Sequence, residues 1–193
     1  TARIDALRSK YNLHKDKRIL GVISRFTEWK GIQFVIPAFA KLLQKFPNVH
    51  LILANASGDY QNEINRLLGK LPASTYTRIK FENDLAALYN LFNVFIHVPV
   101  DASSEAFGQT YIESLIVGIP AIFTRSGIAT EIVKHEYNAL VVDFENSEEI
   151  YESMVRLLND PDLCARLADN GRKTVESFTI QNYLTEVESL YLA

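Results

Sequence analysis

Cysteine is almost missing from this sequence: Cys164 is the single one in 193 residues. A lone thiol closes no internal disulfide, which fits a reducing compartment, and it excludes a multi-thiolate metal site, because structural zinc needs several Cys or His ligands close together. Long apolar runs are missing too. Stretches such as 115–117 and 119–123 fall far short of the roughly 20 residues that a membrane span requires. The first residues, Thr1-Ala2-Arg3-Ile4-Asp5, lack both a Met and the apolar run of a secretory signal. No G-x-G-x-x-G follows the first predicted strand and no G-x-x-x-x-G-K-[ST] occurs anywhere, which removes the dinucleotide fingerprint and the P-loop. Internal repeats and low-complexity linkers are absent.

What remains is an ordinary globular mixture, 48% hydrophobic and 22% charged, at a length that suits one domain with short appendages. The net charge of −3 argues against a general nucleic-acid binder. Its distribution is uneven, with a balance of +7 over residues 1–50 and −10 over residues 51–193. The basic first quarter favours an anionic ligand or surface, or is simply a solvated basic helix.

Short β-branched runs alternate with amphipathic stretches, the signature of βαβ units. Strands are expected at 18–24, 49–54, 79–81, 94–98, 121–124 and 139–142. Helices are expected at 31–46, 60–71 and 84–91, near Gly108 and Thr130, and then at 147–159, 161–177 and 180–192. Asp84 and Asn146 are candidate N-caps, Glu149 completes a capping box with Asn146, and Pro161 suits the first turn of its helix. About six strands alternating with helices bury their apolar faces as a parallel sheet covered on both sides. The expected fold class is therefore α/β, a doubly wound Rossmann-like domain. Ligands of such sheets bind beyond the carboxyl ends of the strands, so the loops after Ser24, Ala54, Phe81, Val98 and Thr124 are the places for chemistry.

The first of these loops, Ser24-Arg25-Phe26-Thr27-Glu28-Trp29-Lys30-Gly31, sets two cations at the mouth of the sheet, a fork and a point charge that can clamp a diphosphate. Taken alone, the pair equally describes a solvated surface. The loop after the fourth strand holds Glu105-Ala106-Phe107-Gly108-Gln109-Thr110-Tyr111-Ile112-Glu113. A helix starting at Gly108 would turn the amides of Phe107 to Thr110 toward the cleft, with the positive end of its dipole. Carboxylates at Glu105 and Glu113 would then accept hydrogen bonds from sugar hydroxyls while the amides serve phosphate, an arrangement that suits a sugar nucleotide. The same residues also read as an ordinary loop acid and a surface residue of the helix. His97, on the fourth strand running toward the cleft, is open to substrate contact but is read in preference as a hydrogen-bonded, partly buried residue, and Cys164 as core filler. Trp29 and Phe26 are open to either stacking on a ligand or packing.

Arg25-x4-Lys30-Gly31, then Glu105-x7-Glu113 with Phe107-Gly108 inside it, then Gly118-Ile119-Pro120, in this order at these strand ends, resembles the C-terminal, donor-binding half of retaining GT-B glycosyltransferases of family 4 (group 1). The resemblance runs from about Lys17 to Leu192. It implies that Arg25 and Lys30 bind the donor diphosphate and stabilise the departing nucleotide, and that Glu105 contacts the donor sugar near the reacting carbon. It implies further that Phe107, Gly108, Gln109 and Thr110 hold sugar hydroxyls and phosphate through their amides, and that Glu113 holds the ribose. Phe81 and Glu82, with Asn83, occupy the place where family members cradle the base, largely through backbone groups. The donor would be a nucleotide diphosphate sugar, with no metal required. Three departures bear on the nucleotide and sugar: Asn55-Ala56-Ser57-Gly58-Asp59 stands where a glycine-rich turn is usual, Gly127 stands alone where a glycine pair is common, and the base loop near Glu82 is short.

By the same resemblance this chain is one half of a two-domain enzyme. Residues 1–16 would be interdomain linker and N-terminal helix, 17–178 the nucleotide-sugar domain, and 179–193 a C-terminal helix reaching toward a missing N-terminal domain that carries the acceptor surface. The acceptor would be a saccharide or a lipid-linked one, and the expected location is cytoplasmic, with loose peripheral contact of the whole enzyme at an anionic inner membrane face. Three other readings are compatible with the residues: a GT-B sugar-nucleotide epimerase, a glycoside hydrolase using Glu105 and Glu113 as its carboxylate pair, and a non-catalytic binding module.

Overall fold

The computed structural model describes residues 2–192; Thr1, where the expected linker begins, and Ala193, where the expected C-terminal helix segment ends, lie outside the described residues. The chain runs α1 (Ala2–Lys10), β1 (Arg18–Ile23), α2 (Ile32–Lys45), β2 (Val49–Ala54), α3 (Gln61–Leu68), β3 (Tyr76–Ile79), α4 (Leu85–Leu91), β4 (Val94–His97), α5 (Gln109–Val117), β5 (Ala121–Phe123), α6 (Ala129–Ile132), β6 (Leu140–Val141), α7 (Ser147–Asn159), α8 (Pro161–Val175) and α9 (Ile180–Leu192). The six strands form one parallel sheet in the order β3-β2-β1-β4-β5-β6. This is the expected doubly wound, Rossmann-like α/β architecture. No helix among the described residues is long and apolar enough to cross a membrane.

Alternation along each strand feeds two cores. Leu20 and Val22, Leu51 and Leu53, and Val94 and Ile96 face one side, where α2, α3 and α7 close over them. Ile19 and Ile23, Ile52, Phe95 and Phe123 face the other, beneath α4 and α5. Both faces are covered, so the strands read as continuous apolar runs rather than as half-polar ribbons. In α2, Val35, Phe39 and Leu42 recur at helical spacing, and the helix packs on α7 through the side that holds Ile150, Met154 and Leu157.

The sequence misplaced one strand. The third strand occupies Tyr76–Ile79 rather than 79–81, in register with Leu51 to Ala54 of β2. It is an edge strand in which Ile79 alone is buried, so its polar first half carried no apolar signal. The helix ends were better marked. Asp84 accepts from Ala87 N–H at 3.0 Å, Asn146 from Glu149 N–H at 3.1 Å and Asp160 from Leu163 N–H at 2.8 Å, with Pro161 following. The capping box is only half built, because the Glu149 carboxylate takes Asp143 N–H at 2.7 Å in place of its own N-cap.

Helix α1 docks on α4 through buried Leu7 and a polar clasp. Lys10 Nζ and Tyr11 OH both donate to Glu82 Oε2, at 2.7 and 2.6 Å, while Asp84 N–H donates to Oε1 at 3.1 Å. Arg3 pairs with Asp84. Lys10 first, then Tyr11 and the Asp84 amide, hold the Glu82 carboxyl down at about 2 against the opposing effect of burial.

Two outcomes follow from this packing. Phe39→Ala removes a fully buried ring between sheet and α7, and urea unfolding should show a loss of about 3–5 kcal/mol; a loss below about 1 kcal/mol would mean that α2 is not seated as described. Glu82 titrates in the ordinary carboxylate range when unfolded and near 2 when folded, so its contribution is complete above that range and disappears as pH falls toward 2. Unfolding free energies measured from about pH 6 down to pH 2 should therefore fall more steeply in the wild type than in Glu82→Gln. Parallel slopes would sink this account of the clasp.

Candidate functional site

The chain steps outward from β1 to β2 and β3, then returns to lay β4 on the other side of β1. The loops after β1 and β4 consequently leave the sheet side by side in opposite directions, which opens a crevice between them. Val100 N–H donates to Trp29 O at 3.1 Å, tying the two loops together. Gly31 makes the approach possible: it has φ +73, and a Cβ there would sit 1.8 Å from Val98 O.

At this crevice Lys30 and Glu105 meet. Lys30 Nζ lies 2.5 Å from Glu105 Oε1, and His97 Nε2 lies 2.9 Å from the same oxygen. The two side chains of the ion pair are only 16% and 10% exposed, and His97 is 2% exposed. Burial raises the Glu105 carboxyl, but the hydrogen bonds from His97 and Lys30 outweigh it and hold the group at about 2. Burial also pushes the His97 imidazole below its ordinary value. The Glu105 backbone is fixed as well, its N–H donating to the fully buried Ser126 Oγ at 3.0 Å.

Arg25 sits on the other limb of the β1 loop, exposed, and its guanidinium has no protein partner among the described residues. Phe107 is 47% exposed on the loop, and Gly108 is the N-cap of α5 without a side-chain cap, so the first-turn N–H groups of Gln109 and Thr110 have no side chain on them. Glu113, half-buried one turn further, accepts from Tyr89 OH at 2.7 Å, which settles the face of α5 it occupies. Burial first, then the neighbouring Glu113, pushes the Tyr89 phenol well above its usual range. Phe81 is 70% exposed after β3, whereas the Glu82 side chain is buried in its clasp with α1, leaving the backbone of this segment as the part available to a base. Phe26 is fully buried in the core and so is removed from the stacking candidates; Trp29 stays half-exposed. Cys164 is half-buried on α8, its Sγ against Leu157 O.

The structure thus brings Lys30, Glu105 and the start of α5 together, and adds three residues that the sequence reading did not assign to the site: His97, Ser126 and Tyr89. A signal for His97 did exist, since it ends β4 facing the same side as Phe95, eight residues before Glu105. Nothing in the sequence flagged Tyr89 or Ser126. Surface hollows such as the one lined by Ile116, Arg172, Val175 and Phe178 lie away from these charges. Among the described residues no group of three or more His, Cys, Asp or Glu side chains is arranged to hold a metal ion.

A family model described as Glycosyl transferases group 1 matches residues 3–174. The chain is 30% identical over 189 residues to the capsular polysaccharide biosynthesis glycosyltransferase CapM of Staphylococcus aureus, an alignment that covers 96% of this chain and 49% of CapM. Among solved structures, Anabaena HepE in complex with UDP-glucose is 23% identical with a TM-score of 0.86, covering 100% of this chain and 53% of that one. The C-terminal domain of a glycosyl transferase group 1 family protein (LpcC) from Francisella tularensis is 21% identical with a TM-score of 0.77, covering 90% of this chain and 93% of that domain. The chain spans about half the length of the curated relatives it matches. With a family match that runs through both loops of the crevice and nearly the whole described sheet, the chain belongs to the group 1 glycosyl transferases.

Proposed function

We propose that this chain is the donor half of a retaining glycosyltransferase, binding a nucleotide diphosphate sugar for transfer to a saccharide or lipid-linked acceptor. The observation that carries the reading is the convergence of Lys30 and Glu105 at the crevice between β1 and β4, beside an uncapped helix start. In this reading Arg25 and Lys30 hold the diphosphate, and Lys30, with three N–H donors, serves phosphate and Glu105 together. The amides from Phe107 to Thr110 take phosphate and sugar hydroxyls, Glu113 the ribose, and the backbone around Phe81 and Glu82 the base.

As the bond between the anomeric carbon and the phosphate oxygen breaks, its electron pair stays on the diphosphate. The growing negative charge is met by cations already in place, so they stabilise the transition state more than the ground state. Two cations and a helix terminus fill the role that a divalent metal plays in other sugar-nucleotide sites. Glu105 stays ionised throughout the neutral range and acts as a hydrogen-bond acceptor for the sugar. The acceptor surface belongs to an N-terminal domain beyond this half, a reading supported by the half-length coverage of the relatives. The exposed apolar side chains of α9, Ile180, Tyr183 and Leu190, suit contact with that domain.

HepE, which shares the fold, was solved with UDP-glucose, so uridine nucleotides are the first probes. Calorimetric titration of the purified chain should detect UDP or another nucleoside diphosphate, and Arg25→Ala and Lys30→Ala should each weaken it about tenfold or more, as expected for a lost charge-assisted contact. If no member of a panel of nucleoside diphosphates and their sugars binds, the donor-site reading fails; if both variants bind like wild type, a different surface is used. The chain alone should transfer little sugar, and a full enzymatic rate without added protein would overturn the assignment of the acceptor surface to another domain.

A further inference from the structure

Both donors to Glu105 converge on one carboxylate oxygen. Lys30 Nζ and His97 Nε2 each bond Oε1, and Oε2 has no hydrogen-bond partner among the described residues. The two donors differ in kind. Lys30 stands on the β1 loop at the rim of the crevice, where a diphosphate would compete for its ammonium. His97 stands on the rigid end of β4 and is 2% exposed. Its ring is wedged edge-on against Tyr111 at 4.7 Å and stacked over Phe95 at 6.4 Å, and Tyr111 is itself pinned by donating to Thr124 O at 2.9 Å.

The protonation of His97 follows from its contacts. Nε2 faces a carboxylate oxygen and must carry a hydrogen; Nδ1 is buried with no partner, so a second proton there would be an unsatisfied buried donor. His97 is therefore a neutral Nε2–H donor, which agrees with the lowering of its basicity by burial. It holds the carboxylate without adding a charge that the incoming diphosphate could draw away. The titratable groups that act on this carboxylate are the Lys30 ammonium from the β1 loop and the neutral His97 imidazole from β4, with the buried Tyr111 phenol on α5 alongside.

We propose that His97 is a positioning residue: it retains Glu105 at Oε1 when Lys30 is shared with the donor diphosphate, so that Oε2 stays presented to a hydroxyl of the donor sugar. The proposal rests on the donor-site reading above. Without His97, a bound diphosphate would weaken the only other tether of the Glu105 side chain among the described residues and bring negative charge toward it, and the carboxylate would protonate or swing aside.

The test follows the Glu105 carboxyl by NMR in chain labelled with 13C-glutamate, its signal assigned by its loss in Glu105→Gln, with and without saturating UDP. In the wild type, UDP should leave Glu105 far below the ordinary carboxylate range. In His97→Met, which keeps the volume and removes the donor, UDP should raise its midpoint by about one unit or more. His97→Gln, which restores an N–H donor, should bring it back toward the wild-type value. A His97→Met protein that is folded and binds UDP with the wild-type Glu105 titration would overturn the proposal. Lys30→Met provides an independent reading in the free chain: Glu105 should remain below the ordinary range on His97 alone, and a return to that range would equally overturn it. That second measurement also separates the two ideas, since absence of UDP binding by wild type would count against the donor site while the Lys30→Met titration would still judge His97.

Discussion

The pairing of β1 with β4, Leu20 beside Val94 and Gly21 beside Phe95, joins strands separated in sequence by two complete βα units. Parallel strands demand long crossovers, and the right-handed rule sends the first two units to one side of β1 and the later ones to the other. The two loops that end these central strands then diverge, and among the described residues no other neighbouring pair in the sheet does so. A crevice at that place is a consequence of chain order. The residues of the proposed donor site are the ones that lie on its two lips: Arg25 and Lys30 on one, Glu105 on the other.

Close approach of opposite charges at the lips sets the electrostatics. A carboxylate only 10% exposed would by itself drift toward neutrality, yet Glu105 is held ionised because a cation and a neutral imidazole N–H both address it. A buried ion pair of this kind contributes little to stability in net terms, since desolvation offsets the attraction. Its value is geometric. With the Glu105 amide fixed by Ser126, the side chain fixed by Lys30 and His97, and Glu113 fixed by Tyr89, both carboxylates are oriented before any ligand arrives.

Sheet, helix order and most boundaries were legible because the central strands are largely apolar runs and several helices have a marked start, as Asp84, Asn146 and Asp160 show. The exception, β3, is an edge strand with a polar half. At the site, the spacing of Arg25, Lys30, Glu105 and Glu113 was visible, and so was the loop that each occupies. Their supports were not. Tyr89 reads as an ordinary core aromatic and Ser126 as a turn residue, since the partner of each lies more than twenty positions away across the fold. The unusual turns also make sense only in three dimensions. Asn55 takes the left-handed conformation, φ +57, that a glycine-rich turn would otherwise supply, a position asparagine tolerates. Gly127 needs its missing side chain because a Cβ would stand 2.7 Å from Phe107 O and 3.0 Å from Glu105 Cβ.

Two carboxylates among the described residues, Glu82 and Glu105, are held at about 2, and in the proposed donor site only Glu105 is placed for chemistry. A depressed value by itself therefore does not mark a functional group here. What separates the two is the use of their oxygens. Glu82 spends Oε2 on Lys10 and Tyr11 and Oε1 on the Asp84 amide, so nothing is left to offer a ligand, and its result is the docking of α1. Glu105 crowds both of its donors onto Oε1 and keeps Oε2 in reserve. Equal ionisation thus serves a closed clasp at the sheet edge and an open acceptor at the switch point, and the free oxygen, rather than the shifted acidity, distinguishes a site from a structural anchor.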